Sequence, residues 1–209
     1  MIKGIIFDMD GTLIDTNDLV IGTLQRTVEK FLGYWPQIES FHEVLGKPLI
    51  VQLEFFSREK AREMVDDYRR EYLRHQEEKT HLYPGVLETL KGLQKKGIRL
   101  AVQSNKGTRG IDHAVEAFDL KGVFDQIIAY EDVAQAKPSP EGINRILTAW
   151  GFSPGEVIFV GDSHNDILAA NLAGVEAVLV SWSLLPPEQF SGLEIHRKLE
   201  KMTDLLNIC

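Results

Sequence analysis

Two acidic residues stand where a short apolar segment ends near the start of the chain. Asp8 and Asp10 follow the apolar run of residues 5–7 and precede Gly11. Residues i and i+2 of an extended strand point to the same side, so both carboxylates can enter one site if the chain stays extended through residue 9. Adjacent carboxylates repel each other unless a cation intervenes, so a divalent metal would suit this pair. The alternative is an Asp-Gly turn in which the acids only cap the next segment.

A second acidic cluster lies in the segment GDSHND, residues 161–166. Asp162 and Asp166 stand just before an apolar pattern typical of a helix. The structural alternative is that Asp162 or Ser163 caps this helix and Asp166 stabilises its first turn. That alternative leaves unexplained why acids occur at two separate strand ends. Since Mg²⁺ prefers carboxylate oxygens as ligands, the two clusters together predict a magnesium site.

Three further polar residues could bind an anion, whereas the acids could bind a cation. Lys137 lies in AKPSP, where it could hold a phosphate oxygen as a point charge. Ser104 and Asn105 follow the apolar segment RLAVQ, near the start of a helical pattern, where hydroxyl and N–H groups form an anion site. Each has an ordinary alternative, which is a solvated loop lysine or a helix N-cap. Taken together with the acids, these residues suit phosphoryl transfer.

The elements that must position these residues alternate along the chain. Apolar runs rich in β-branched residues predict strands over residues 2–8, 98–103, 126–129, 157–161 and 176–180. Helical patterns cover residues 85–96, 108–118, 140–150 and 164–174. This alternation predicts an α/β fold with a parallel sheet covered by helices on both faces. Ligands bind at the carboxyl ends of such strands, and the polar clusters follow the predicted strands.

Residues 15–80 interrupt the alternation, because they contain helical patterns and no convincing strand. One amphipathic pattern carries Leu19, Leu24 and Val28 on its apolar side. Another, over residues 63–79, is highly charged and has an apolar stripe, which comprises Met64, Val65, Tyr68 and Tyr72. We therefore expect a helical insertion after the first strand.

Composition limits the classes of function. The chain has 209 residues, 44% of them hydrophobic, which is enough for one sizeable core and a smaller appended domain. A net charge of −8 gives no electrostatic footprint for nucleic acid or for an anionic membrane. Cys209 is the single cysteine, so no intrachain disulfide is expected. The N-terminus lacks the pattern of a signal peptide, and no apolar run is long enough to span a bilayer, so we expect a cytoplasmic protein.

The motifs DMDGTL, QSN, AKPSP and GDSHND occur in this order along the chain. In order and spacing, the sequence resembles the haloacid dehalogenase (HAD) superfamily over essentially its whole length. It is most similar to the branch of phosphatases with a small helical cap, which includes phosphoglycolate phosphatases and related cytosolic pyrophosphatases. The resemblance implies a Rossmann-like, HAD-like core of residues 1–14 and 80–209. Residues 15–79 would form the inserted α-helical cap domain.

The resemblance also implies a role for each motif residue. Asp8 would be the nucleophile that forms an aspartyl-phosphate, and Asp10 would be the acid and base. The remaining roles are phosphate binding by Ser104, Asn105 and Lys137, Mg²⁺ binding by Asp8, the main-chain carbonyl of Asp10 and Asp162, and support by Asp166 and Thr12. The turn LGKPL in the cap, with Gly46 and Lys47, is the best candidate for a further contact with substrate.

These roles imply a Mg²⁺-dependent phosphatase of a small phosphorylated metabolite, acting as a monomer or homodimer. Phosphoglycolate is the first expected substrate and pyrophosphate the second, with sugar phosphates and nucleotides left open. A sugar-phosphate mutase uses the same motifs, but such mutases often carry Val where this chain has Thr12. An inactive regulatory protein on the same scaffold is disfavoured, because both expected catalytic acids are present.

Overall fold

Strands and helices alternate along most of the chain in the computed structural model, which describes residues 1–208 and leaves Cys209 outside. The strands are β1 (Gly4–Phe7), β2 (Ile14–Asp15), β3 (His81–Leu82), β4 (Arg99–Gln103), β5 (Gln126–Ile128), β6 (Val157–Gly161), β7 (Glu176–Val180) and β8 (Arg197–Leu199). The α-helices are α1 (Asn17–Leu32), α2 (Leu49–Phe56), α3 (Ala61–Lys79), α4 (Val86–Lys95), α5 (Thr108–Ala117), α6 (Glu141–Trp150) and α7 (His164–Ala173). Within residues 1–208, no helix has the length and apolar character needed to cross a bilayer.

The main sheet is parallel, as the sequence predicts. Its strand order is β5-β4-β1-β6-β7-β8, with six strands in the described part of the chain. β1 lies at its centre, where Phe7 pairs with Val102 of β4 and with Val160 of β6. The carboxyl ends of these three strands therefore meet at one edge. The predicted α/β fold is confirmed.

Both faces of the sheet are buried at β1, β4, β6 and β7, which explains why these strands are almost continuously apolar. Side chains alternate across a strand, and Ile5 and Phe7 belong to one hydrophobic cluster while Ile6 belongs to another. The same division separates Val102 from Ala101 on β4. Helices α4 and α5 contribute to the first cluster, and α6 and α7 contribute to the second. This rigid centre holds the ends of β1, β4 and β6 in fixed positions.

In the part of the chain that the structure describes, the main sheet contains one strand that the sequence pattern does not predict. β8 is one of the two edge strands and pairs with β7, through Val178, Leu179 and Val180. Arg197 and Lys198 are exposed, and Leu199 is buried. Its residues are mostly polar because an edge strand faces solvent, so it lacks the apolar run that marks the other strands.

The inserted helices α1, α2 and α3 pack around a hydrophobic cluster of their own. Leu19, Leu24 and Val28 of α1 are buried in it against Met64 and the other apolar residues of α3. The chain leaves and re-enters the core through the antiparallel pair β2–β3, which the sequence does not predict because each strand has two residues. The division into two domains with a boundary at 79/80 stays a prediction.

Asp67 is a buried acid within the inserted helices. Its side chain is 4% exposed and accepts hydrogen bonds from Lys30 of α1 and Arg70 of α3. Burial alone would raise the pKa of Asp67, but the bonds from Lys30 and Arg70 outweigh it and lower the pKa from 3.8. A carboxyl of this kind contributes stability above its unfolded pKa and loses that contribution as the pH falls through its folded pKa.

We expect Asp67→Asn to lower the free energy of unfolding by about 1 kcal/mol at pH 7, since Lys30 and Arg70 are largely exposed and screened. The difference from wild type should shrink as the pH falls below about 4. Urea unfolding at pH 7 and pH 3.5 measures both values. Asp66→Asn, at an exposed neighbouring position, is the control and should change stability by less than about 0.5 kcal/mol. An equal loss at both pH values for Asp67→Asn would contradict this account.

Candidate active site

Asp8 lies one residue beyond β1, in the interior of the sheet edge. Its backbone N–H donates to the carbonyl of Val160 at 2.9 Å, so the pairing of β1 with β6 extends to this residue. Its side chain is 10% exposed, and its Oδ1 lies 2.8 Å from Nζ of Lys137. Burial raises the pKa of Asp8 to about 6, although the charge of Lys137 acts in the opposite direction. Asp8 is thus a buried acid with a cation on one side.

Lys137 is buried, with 2% of its side chain exposed. Its Nζ donates to Asp166 Oδ1 at 2.6 Å and to the carbonyl of Gln103 at 3.0 Å. Burial opposes the charge on Lys137, but the carboxylates of Asp166 and Asp8 outweigh it and raise the pKa of the lysine. The solvated loop lysine, which was the structural alternative, is therefore wrong.

In the GDSHND segment, Ser163 caps a helix and Asp166 contacts Lys137. Ser163 is the N-cap of α7, and its hydroxyl accepts from the backbone N–H of Asp166 at 3.3 Å. Asp166 Oδ2 accepts in return from the backbone N–H of Ser163 at 2.9 Å and from its hydroxyl at 2.7 Å. Asp166 is fully buried and uses its other oxygen on Lys137. Its contacts therefore fix the position of the Lys137 ammonium group.

Thr12 forms a hydrogen bond with Asp162, the other acid of the GDSHND segment. Its hydroxyl donates to Asp162 Oδ1 at 3.1 Å, which links the loop after β1 to the loop after β6. Gly11, with φ +77°, makes this approach possible, because a Cβ at residue 11 would lie 2.3 Å from Asp162 Oδ2. Burial, followed by the charges of Asp166 and Asp8, raises the pKa of Asp162 well above its usual value.

Asp10 does not share a strand face with Asp8. The chain bends at Met9, whose carbonyl accepts from the backbone N–H groups of Leu13 and Ile14. The condition that the chain stays extended through this residue is therefore not met. Both acids nevertheless line the same cavity, and Asp10 is bound there by another cation.

That cation is Lys106, a residue that the sequence analysis did not assign to the site. Its Nζ lies 3.0 Å from Asp10 Oδ1 and 2.8 Å from Asp10 Oδ2. It also donates to the hydroxyl of Tyr72 on α3 at 2.9 Å. Burial opposes the charge on Lys106, but the charge of Asp10 outweighs it and raises the pKa of the lysine. One signal was available, since Lys106 follows Ser104 by two positions at the end of a strand.

Ser104 and Asn105 lie in the loop between β4 and α5, and neither caps the helix. The N-cap of α5 is Gly107. The side-chain N–H groups of Asn105 donate to the carbonyls of Gly46 at 2.8 Å and of Lys137 at 3.0 Å. Its Oδ1 accepts from the backbone N–H of Lys137 at 2.9 Å. Asn105 therefore fastens the loop that carries Lys137 to the LGKPL turn of the inserted helices.

The LGKPL turn packs directly against the site. Gly46 has φ +78°, and a Cβ there would lie 2.6 Å from Oγ of Ser163. Gly46 and Lys47 line a cavity of about 750 Å³ together with Asp8, Asp10 and other residues of both parts of the chain. The cavity thus lies between the sheet edge and the inserted helices, where the sequence predicts substrate contacts.

The acids beside this cavity fit a divalent cation. One carboxylate oxygen from each of Asp8, Asp162 and Asp166 lies within 4.8 Å of the others. Because both oxygens of Asp166 are bound to Lys137 and Ser163, Asp8 and Asp162 are the acids left to hold an ion. Asp8 Oδ1 is a buried carboxylate oxygen that lies 2.8 Å from the ammonium group of Lys137. Such an oxygen suits a hard cation.

Lys137 joins two buried carboxylates, so its removal should be costly. We expect Lys137→Met to lower the free energy of unfolding by about 3 kcal/mol at pH 7, because Asp8 and Asp166 lose their shared partner. Urea denaturation of the metal-free protein measures this. Lys95→Met, at an exposed position of α4, is the matched control with an expected change below about 0.5 kcal/mol. Equal unfolding midpoints for the two variants would contradict the account.

Comparison with known proteins identifies the family. The family model described as haloacid dehalogenase-like hydrolase matches residues 5–180. A protein of Anoxybacillus flavithermus named pyrophosphatase PpaX is 35% identical over 210 residues, which is 99% of this chain and 96% of that protein. The pyrophosphatase PpaX of Bacillus velezensis is 32% identical over 207 residues, which is 99% of this chain and 96% of that protein.

Solved structures agree with this assignment. The structure of CbbY from Rhodobacter sphaeroides in complex with phosphate matches with a TM-score of 0.84 and 25% identity, over 98% of this chain and 96% of that one. The structure of a predicted phosphoglycolate phosphatase from Haemophilus somnus matches with a TM-score of 0.84 and 24% identity, over 99% of this chain and 97% of that one. At this identity, the match supports the fold alone. With the site geometry, these matches show that the chain belongs to the haloacid dehalogenase-like hydrolases and is a phosphatase of that family.

Proposed function

We propose that this phosphatase depends on Mg²⁺, acts through a phosphorylated Asp8, and hydrolyses inorganic pyrophosphate. One observation carries the mechanism. Asp8 is buried at the sheet edge with Lys137 at 2.8 Å, and its carboxylate opens into the cavity. Its Oδ1 is paired with the ammonium group of Lys137, which holds the buried carboxylate in place beside the cavity.

In the first half of the reaction, a carboxylate oxygen of Asp8 attacks the phosphorus atom. The bond from phosphorus to the leaving oxygen breaks, and Asp10 transfers its proton to that oxygen. In the second half, water attacks the phosphorus of the aspartyl-phosphate while Asp10 takes a proton from the water. The bond between phosphorus and Asp8 then breaks, which releases phosphate and restores both acids.

The positive groups offset the repulsion between a carboxylate and an anionic phosphate. Lys137 and the hydroxyl of Ser104 would hold oxygens of the transferring group. Mg²⁺ bound by Asp8, Asp162 and the main-chain carbonyl of Asp10 would offset further negative charge. The Asn105 side chain is occupied by Gly46 and Lys137, so any contact of this residue with phosphate would come from its backbone.

The named relatives favour pyrophosphate over phosphoglycolate as substrate. Proteins with 32% and 35% identity over nearly the whole chain are named pyrophosphatases. The name phosphoglycolate phosphatase comes from a structure whose 24% identity supports the fold alone. We therefore reverse the order expected from the sequence motifs. Phosphoglycolate becomes the comparison substrate.

A cytoplasmic location and a monomeric or homodimeric state remain predictions. The proposed partner is a small phosphate compound, and neither nucleic acid nor membrane is proposed. The −8 net charge of the chain supports these last two exclusions.

The proposal is tested by phosphate release from pyrophosphate and phosphoglycolate with Mg²⁺. We expect a higher kcat/KM for pyrophosphate. Asp8→Asn should reduce kcat at least about 10³-fold with both substrates, since the nucleophile is lost. Circular dichroism of the variant controls for folding. A folded Asp8→Asn enzyme with near wild-type kcat would refute the mechanism, and a higher kcat/KM for phosphoglycolate would refute the substrate assignment.

A further inference from the structure

Lys106 connects the proposed acid/base to the inserted helices. It belongs to the loop after β4, and its ammonium group contacts both oxygens of Asp10 and the hydroxyl of Tyr72 on α3. Its side chain is 12% exposed and lines the same cavity as Asp8 and Ser104. A cation therefore lies next to the space where the leaving group of a substrate must fit.

This ion pair conflicts with the role proposed for Asp10. A carboxyl that serves the leaving oxygen needs an oxygen within hydrogen-bond reach of it. In the structure, one ammonium group is bound to both oxygens of Asp10, at 3.0 and 2.8 Å. A second negative group that took over Lys106 would free the oxygens of Asp10 for this role.

We propose that Lys106 pairs with a negatively charged leaving group of the substrate and so releases Asp10 to the leaving oxygen. This inference rests on the proposed function and names its substrate class. The class comprises phosphate compounds whose leaving group carries its own negative charge beside the bond that breaks. The second phosphate of pyrophosphate meets this requirement, and so does the carboxylate of phosphoglycolate.

The surroundings of Lys106 hold its ammonium group in place for this exchange. The lysine stem lies against Gly110 of α5, where an added Cβ would be 2.7 Å from the Lys106 Cε. Burial, followed by the charge of Asp10, raises the pKa of Tyr72, so its hydroxyl stays neutral and can accept from the ammonium group. The lysine thus has one neutral partner that persists and one charged partner that a substrate anion can replace.

The charge distribution agrees with an anionic ligand. Lys47, Arg69 and Arg109 also line the cavity, although the chain as a whole carries a net charge of −8. Of these cavity lysines and arginines, Lys106 is the one whose contact with Asp10 the structure records. Its effect on catalysis should therefore depend on the charge of the leaving group in a way that theirs does not.

The test compares Lys106→Met with wild type on pyrophosphate and on 4-nitrophenyl phosphate, whose aryl leaving group carries no separate charge. We expect the ratio of kcat/KM for pyrophosphate to that for 4-nitrophenyl phosphate to fall about 30-fold, as for a lost charge-assisted contact. Arg109→Met removes one positive charge from the same cavity and should change this ratio less than about threefold. An equal loss on both substrates in Lys106→Met would overturn the inference.

A binding measurement gives a second readout. In the Asp8→Asn background with Mg²⁺, Lys106→Met should raise the Kd of methylenediphosphonate at least about tenfold. The Kd of methylphosphonate, which lacks the second charged group, should change less than threefold. Equal changes for the two ligands would also overturn the inference. If Lys106→Met does not fold, Gly110→Ala displaces the lysine stem without removing the charge, and it should lower the same kcat/KM ratio about fivefold.

The outcomes separate this inference from the proposed function. If wild type prefers phosphoglycolate to pyrophosphate, the substrate assignment fails. The inference then stands if Lys106→Met lowers the kcat/KM ratio of phosphoglycolate to 4-nitrophenyl phosphate. If wild type prefers 4-nitrophenyl phosphate to both substrates that have a charged leaving group, the inference is overturned.

Discussion

The site depends on one buried ammonium group, that of Lys137. The edge formed by β1 and β6 places three carboxylates, those of Asp8, Asp162 and Asp166, within reach of one another. Buried like charges repel strongly, and Lys137 is the side chain that contacts two of them, at 2.8 and 2.6 Å. The remaining contacts around it, from Gln103 and Asn105, hold the lysine at this position. Asp8 can therefore be both buried and charged beside an anionic substrate.

The inserted helices complete the site through two polar connections to the core. Asn105 binds the carbonyl of Gly46 in the LGKPL turn, and Lys106 binds the hydroxyl of Tyr72 on α3. Both residues follow Ser104 in the loop after β4, so one short segment connects the proposed phosphate-binding residue to the inserted helices. This arrangement couples the position of the inserted helices to the groups that would meet the leaving group.

Much of the fold and of the site could be predicted from local pattern. β1, β4, β6 and β7 are apolar on both faces, and this continuous pattern marked them in the sequence. β8 was missed because edge strands can be polar, and the β2–β3 pair was missed because two residues form no pattern. The motif order brought Asp8, Lys137 and Asp162 to one edge, as the parallel topology requires.

The parts that could not be predicted depend on side-chain contacts between distant residues. The bend at Met9 turns Asp10 away from the strand face of Asp8, and nothing in DMDGTL states which cation it will meet. Lys137 and Lys106 are both loop lysines in the sequence. Their burial depends on which carboxylates the folded chain brings to them. Asp166 lies 29 residues from Lys137, and Asp10 lies 96 residues from Lys106.

The central claim is that Asp8 becomes covalently phosphorylated. Rapid acid quenching during turnover of ³²P-pyrophosphate, followed by peptide mapping, tests it directly. The account predicts a transient label on the peptide that contains Asp8, which disappears when turnover ends and is absent in Asp8→Asn. The label accumulates when hydrolysis of the intermediate is the step that limits kcat. Under that condition, phosphate release at the wild-type rate with no labelled Asp8 at any quench time would contradict the account.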